Sequence, residues 1–182
     1  MPMSRIARAR RTQLIVRGVS GRATRGTLQF GLLYLPCALG RSGMTAFKRE
    51  GDGATPLGRW PLRAALYNPA RVIRPRTALP LRAIGRADGW CDASGDRNYN
   101  RAVRHPYAAS AERLWRDDAL YDVLAVVGHN DRPRVRGRGS AIFLHVAQPG
   151  YLPTEGCIAL RRDHLLRLLG RLTRSTTIII GP

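Results

Sequence analysis

Acidic residues are scarce in this chain. Twelve Asp and Glu face thirty-one Lys and Arg over 182 residues, a formal charge of +19, and Arg supplies nearly all of the positive charge. A surface of this kind attracts polyanions such as nucleic acid, anionic lipid or an acidic cell-wall polymer. Arg enrichment is also what a GC-rich genome produces, so charge alone assigns no partner. Aromatics are few, twelve in all as 3 Trp, 6 Tyr and 3 Phe, and none stands in a base-stacking pattern. A nucleic-acid-binding module needs interleaved aromatics or a recognisable motif. That reading is therefore the weaker alternative, and no nucleic-acid partner is expected.

Long apolar runs are missing too. No stretch approaches the roughly 18 apolar residues of a membrane span. The segment Met1 to Arg11 is basic like the start of an export signal, but Gln13-Leu14-Ile15-Val16 is too short for its apolar part and Arg17 ends it. Two alternatives follow: a leader has been removed, or export uses a route not legible here. Cysteine is sparse, with Cys37, Cys91 and Cys157 only. Their spacing fits no metal site, and an odd number leaves at least one free thiol in a monomer. Asp92, Asp96 and Asn98 superficially resemble a calcium loop, yet the Gly and terminal Glu of such a loop are not in place. Neither metal nor cofactor is expected.

The length fits one domain. Residues 1–11 read as a disordered basic arm and 12–182 as the folded domain, without internal repeat or low-complexity tract. Strands are expected at Thr12 to Val16, Gly26 to Leu35, Arg59 to Tyr67, Tyr121 to Gly128, Ala141 to Ala147 and Thr176 to Ile180. Ala141 to Ala147 is apolar on both faces and should be central. Lys48 to Gly58 is a Gly/Pro loop, and residues 68–88 read as irregular. Two short helices complete the set. Ser110 to Arg116 has Ser110 as candidate N-cap, and Asp163 to Leu169 has a Leu165, Leu166, Leu168, Leu169 stripe that ends at Gly170. The fold class is mainly β, with short helices.

The chemistry concentrates in two places. Phe143-Leu144-His145 is followed by Thr154-Glu155-Gly156-Cys157-Ile158, with Cys157 twelve residues on from His145. An unperturbed thiol, with a pKa of about 8.5, is only slightly ionised at neutral pH, and an adjacent imidazole can take its proton. Gly156, without a Cβ, lets backbone approach a ligand, and nearby amides could hold a tetrahedral oxyanion. Spacing alone slightly favours the plainer reading: a buried Cys, with His145 satisfied by a carbonyl.

Several motifs in register change that balance. His145 followed by Thr154, Gly156, Cys157 and Ile158 resembles the signature of the L,D-transpeptidase (YkuD-type) family. Glu50-Gly51-Asp52 with Ala54-Thr55-Pro56-Leu57-Gly58 resembles that family's T-P-x-G turn. Trp90-Cys91-Asp92, Asn98-Tyr99-Asn100 and Val127-Gly128-His129-Asn130 resemble blocks of a compact branch. The resemblance spans about residues 12–181. It implies an antiparallel β-sandwich, with Cys157 as nucleophile, His145 as base oriented by a backbone carbonyl, and the amides of Gly156, Cys157 and Ile158 as oxyanion hole.

The resemblance also implies contacts to substrate from His129, Trp90, Tyr99, Asn100, Thr154, Glu155 and Arg161. For each, a structural role is the competing reading: His129 ends a strand, Trp90 suits a core, Asn-Tyr-Asn makes a good turn, and Arg161 stands beside a helix start. Arg5–Arg11 and Arg132–Arg138 are most simply solvated. Two departures stand out. Many members have His before the Gly, where this chain has Glu155, and Arg or Asn two residues after the Cys, where it has Ala159. Both positions border the acyl donor. The implied activity is crosslinking of peptidoglycan stem peptides through a cysteine thioester, of the 3–3 type or, given the departures, from the first stem residue. Water as acceptor would make it a carboxypeptidase or endopeptidase. Donor and acceptor stems would be its partners, a monomer its state, and the periplasm or cell envelope its location.

Overall fold

A computed structural model describes residues 13–181; the basic arm expected over 1–11 lies outside the described residues. Fourteen strands form in chain order. They are β1 (Gln13–Gly18), β2 (Arg25–Phe30), β3 (Leu33–Ala38), β4 (Met44–Thr45), β5 (Thr55–Pro56), β6 (Gly58–Tyr67), β7 (Leu81–Ala83), β8 (Asp88–Cys91), β9 (Ala102–Arg104), β10 (Ala111–Arg113), β11 (Val123–Val127), β12 (Phe143–Val146), β13 (Ile158–Leu160) and β14 (Thr177–Gly181). The α-helix α1 (Arg162–Leu169) stands between β13 and β14, and a 3-10 turn covers Pro149–Tyr151. The mainly β class expected from the sequence is what the structure has.

The large sheet runs β11-β12-β13-β3-β2-β1-β14-β6-β7, and β6 also pairs back to β11. The layers are thus joined on both sides, which leaves few open edges to pair with other chains. Most neighbours are antiparallel, but β1–β14, β6–β7 and β12–β13 are parallel. A second sheet, β10-β8-β9, is separate.

Alternation of side chains across each strand sorts the apolar residues into two cores. From β11, Val123, Ala125 and Val127 enter the main core, with Leu144 and Val146 of β12 and Ile158 and Leu160 of β13. Leu165, Leu168 and Leu169 of α1 close that core, while Leu166 is only partly buried. The opposite faces carry Leu124, Val126, Phe143 and Cys157, which pack with Leu66, Ile84, Leu114 and Tyr121 in a smaller core. Trp90 of β8 packs edge-on against Phe143, with ring centroids 5.3 Å apart. The second sheet therefore covers the outer face of β12.

Three expectations are corrected. Residues 68–88 are not wholly irregular: Leu81–Ala83 is strand β7, drawn into pairing with Ala65–Tyr67 of β6. Ser110 to Arg116 is not a helix: Ala111–Arg113 is strand β10, paired with Gly89–Cys91 of β8. A helix this short is marginal by itself, and pairing with β8 together with burial of Leu114 outweighs its N-cap signal. The second segment, Gly26 to Leu35, is a hairpin rather than one strand. Gly31 adopts φ +60° at its turn, where glycine has no Cβ penalty, and Leu32 is 97% exposed at the tip. The apolar residues on both sides hide that turn from a pattern reading.

Leu144 is fully buried in the main core, so Leu144→Ala should cost about 3 kcal/mol through lost contacts and a residual cavity. Leu32→Ser at the hairpin tip should stay within about 0.5 kcal/mol of the parent. Urea denaturation of the two variants checks the pair.

Candidate active site

The turn Thr154-Glu155-Gly156 delivers Cys157 to the start of β13. The Thr154 hydroxyl donates to the Cys157 carbonyl at 2.6 Å and accepts from the Gly156 N–H at 3.2 Å. Gly156 adopts φ +126°, and a Cβ there would lie 2.8 Å from the Ala54 carbonyl oxygen and 3.4 Å from Lys48 Nζ. Only glycine suits the turn. The Cys157 thiol donates to the Ala141 carbonyl at 3.1 Å, and the Phe143 N–H donates to Sγ at 3.3 Å.

Parallel pairing then sets the partner. Leu144 stands opposite Ile158 and His145 opposite Ala159. Phe143 is thus beside Cys157, and His145, two residues on, shares the same face. The imidazole Nδ1 lies 2.9 Å from the Val146 carbonyl oxygen. A carbonyl only accepts, so Nδ1 carries the proton and Nε2 is left with its lone pair. Tyr121 packs edge-on against the ring at 5.5 Å, and its hydroxyl donates to Glu112 at 2.6 Å. His145 and Cys157 border one cleft of about 620 Å3.

Burial sets the charge state of the pair. It pushes the Cys157 thiol up to about 12, helped by the Glu112 carboxylate and opposed by the Phe143 N–H and the Lys48 ammonium. It drives the His145 imidazolium down to about 4, against the pull of the Val146 carbonyl. Desolvation disfavours the charged form of each, so the resting pair is a neutral thiol beside a neutral imidazole.

A family model for the L,D-transpeptidase catalytic domain (YkuD) matches residues 17–180. The chain belongs to that family. No curated protein matches it. A crystal structure of Mycobacterium tuberculosis L,D-transpeptidase 1 is similar at 14% identity, with a TM-score of 0.41, over 94% of this chain and 60% of that one. The chain thus spans under two thirds of that structure's length.

Within this YkuD domain the other residues singled out from sequence divide in two. Thr154 and Glu155 border the cleft. Glu155 is exposed and paired with Arg41 at 2.8 Å. Of the three amides expected to hold an oxyanion, that of Gly156 is engaged by Thr154 and Ile158 lies in the β13 pairing, which leaves Cys157 N–H as the candidate donor. Trp90, Tyr99, Asn100, His129 and Arg161 do not border the cleft. Arg161 turns to Asp163 at 3.0 Å. His129 is buried edge-on against Trp60 at 4.7 Å, with Nε2 2.9 Å from the Arg138 carbonyl. Tyr99 donates to Glu50, which does border the cleft.

Asn100 is a hub behind the cleft wall. Its Oδ1 accepts from Trp90 Nε1 at 2.9 Å and from the Ala141 N–H at 3.2 Å. Its Nδ2 donates to the carbonyls of His129 and Asn130 at 3.0 and 2.9 Å. One of these four bonds holds the backbone of Ala141, whose carbonyl accepts the hydrogen bond of the Cys157 thiol and whose φ is +51°.

Lys48, Glu112, Arg116 and Tyr121 did not stand out in the sequence. Lys48 is the single lysine of the chain; it is 6% exposed and ion-paired with Asp52. Its rarity was the one available signal. Among the described residues, no group of three His, Cys, Asp or Glu side chains could hold a metal.

Three outcomes follow. The His145 imidazole titrates below its ordinary 6.5, so it contributes stability that is complete above that pH and lost as pH falls towards about 4. Without substrate, alkylation of Cys157 by iodoacetamide should climb with pH and reach no plateau below about pH 10. A plateau near neutrality would instead reveal a thiolate–imidazolium pair. Asn100→Ala should destabilise by about 1–3 kcal/mol, since it strips partners from buried polar groups; thermal unfolding measures this.

Proposed function

We propose that this chain is a peptidoglycan L,D-transpeptidase that works through a Cys157 thioester, with residues 12–182 as its catalytic domain. The observation that carries the reading is the Cys157–His145 arrangement: one face, one cleft, and an imidazole whose Nδ1 is tied to Val146 so that Nε2 is free to accept. In the first half-reaction the thiol proton leaves Ala141 for His145 Nε2, and sulfur attacks a donor carbonyl. Cys157 N–H would steady the oxyanion. His145 returns the proton to the leaving amine, and a thioester remains. An acceptor amine from a neighbouring stem then attacks the thioester and regenerates the thiol.

A neutral resting pair suits this sequence of steps. The transfer needs a substrate in the cleft to displace the Ala141 contact, so little thiolate is exposed to oxidation or stray electrophiles between turnovers. Peptidoglycan stems lie outside the cytoplasmic membrane, so the reading places the enzyme in the cell envelope, most simply the periplasm. The +19 charge favours attachment to an anionic wall and should lose force as salt rises.

The donor reading is narrower. Glu155 is occupied by Arg41, and Ala159 puts a methyl group on the cleft wall, where many family members carry His and Arg or Asn. Neither position carries a cationic side chain. This supports a donor site unlike that of 3–3 enzymes, and crosslinks that include a type other than 3–3.

Tandem mass spectrometry of muropeptides after incubation tests both levels. Cys157→Ala should abolish crosslinking while the fold persists, and His145→Gln should lower it by roughly 10^2 to 10^4-fold. Dimers joined only from third residue to third residue would refute the donor claim and leave the cysteine mechanism intact. Full crosslinking by Cys157→Ala would refute the mechanism.

A further inference from the structure

The cleft reverses the charge of the molecule. In a chain of net +19, its wall carries Glu50, Asp92, Glu112 and Glu155 against one cation, Arg116. Glu155 is neutralised by Arg41, and Glu50 accepts the Tyr99 hydroxyl. Asp92 and Glu112 remain. They project from the same face of the paired strands: Glu112 stands opposite Trp90, and the Asp92 N–H bonds the Ser110 carbonyl one step along the same pairing at 3.3 Å.

Neither carboxylate is fully compensated. Arg116 binds Asp118 through two nitrogens, at 2.9 and 2.6 Å, and reaches Glu112 only at 3.7 Å. Both neighbours of Glu112, Tyr121 and Arg116, approach its Oε1, so Oε2 faces no donor among the described residues. Asp92 Oδ1 is buried with no hydrogen-bond partner. A further group points the same way. Ser140 borders the same cleft, is 7% exposed, and its hydroxyl has no partner among the described residues. Burial without a partner costs Asp92 Oδ1 and the Ser140 hydroxyl free energy, and a ligand rich in N–H donors and positive charge would remove that cost.

We propose that Asp92 and Glu112 seat the ammonium group of the acyl acceptor, with Ser140 as a further polar contact. This rests on the acyl-transfer reading above and adds how the second substrate is chosen. The carboxylates draw in R–NH3+, and one of its protons passes to Glu112 and on to solvent. Burial raises the Glu112 carboxyl above its ordinary value, despite Tyr121 and Arg116, which suits it to receive that proton. The freed nitrogen attacks the thioester carbonyl, the C–S bond breaks, and the second nitrogen proton reaches sulfur by way of His145. An amide and a free thiol result.

The test separates the two half-reactions. Wild type is incubated with purified muropeptides as donor, and acylation of Cys157 is read by intact mass. Methylamine, cationic at neutral pH, and hydroxylamine, largely uncharged, then compete as acceptors, and the product ratio is read by mass spectrometry. Wild type should favour methylamine relative to its solution reactivity. In Asp92→Asn and in Glu112→Gln, which keeps an acceptor for Tyr121, that preference should fall at least about tenfold, the loss expected for one charge-assisted hydrogen bond. Asp92→Asn decides the matter if Glu112→Gln fails to fold. An unchanged ratio in a folded variant overturns the amine seat while acylation still stands. Absence of acylation in wild type brings down the acyl-transfer reading, and the seat with it.

Discussion

The parallel pairing of β12 with β13 is the constraint on which the site depends. Strands laid side by side in this direction repeat their faces in step, so one register decides which side chains meet. With His145 opposite Ala159, Cys157 and His145 fall on the same face, and Leu144, Val146, Ile158 and Leu160 are driven together into the main core. A slip of one residue would turn every side chain over and bury the thiol where the leucines now sit. The apolar residues that fix the register are thus also what aligns Cys157 with His145, the proposed nucleophile and base. The parallel crossover needs the chain to return the long way, and the Pro149–Tyr151 turn and the Thr154-to-Gly156 turn make that return.

Electrostatics in the cleft follow from the same burial. The outer face of β12 is covered by the β8–β10 sheet, so both members of the pair lose water. Each keeps its neutral form, the thiol with its proton on Ala141 and the imidazole with its proton on Val146. Two charges in this place would cost more solvation than their attraction returns unless other groups assist. Lys48 is one such assistant, a buried ammonium paired with Asp52 that favours the thiolate, while Glu112 opposes it. These two charges modulate a thiol whose ionisation burial opposes most.

Much of this was legible in the sequence, for definite reasons. Val123 to Val127 and Phe143 to Val146 are apolar on both faces, and such runs have few places to go except a central strand. Gly156 and Cys157 stood out only because several motifs in register resemble one family; their own spacing slightly favoured a buried, inert cysteine. The Gly26 to Leu35 hairpin was not legible, because its turn residues Gly31 and Leu32 sit between equally apolar flanks. Nor was β10, where a local capping signal at Ser110 lost to a partner strand some twenty residues away. Glu112 was hidden for the same reason: as a helix residue it would face solvent, and as a strand residue it faces Tyr121 and the cleft.

The residues assigned to substrate from sequence motifs teach a further point about what such motifs record. Trp90, Asn100 and His129 are joined by hydrogen bonds or contacts through Asn100, and Asn100 in turn holds the backbone of Ala141. The chain of influence ends on the carbonyl that accepts the Cys157 proton. A side chain with four geometrically fixed bonds admits few replacements, since any change leaves a buried donor or acceptor unpaired. A motif can therefore be as exacting one layer behind the reacting atoms as at the atoms themselves. In this domain the Trp-Cys-Asp and Asn-Tyr-Asn blocks do both. Asp92 lends a carboxylate to the cleft, and Trp90 and Asn100 build the wall that holds Ala141 beside Cys157.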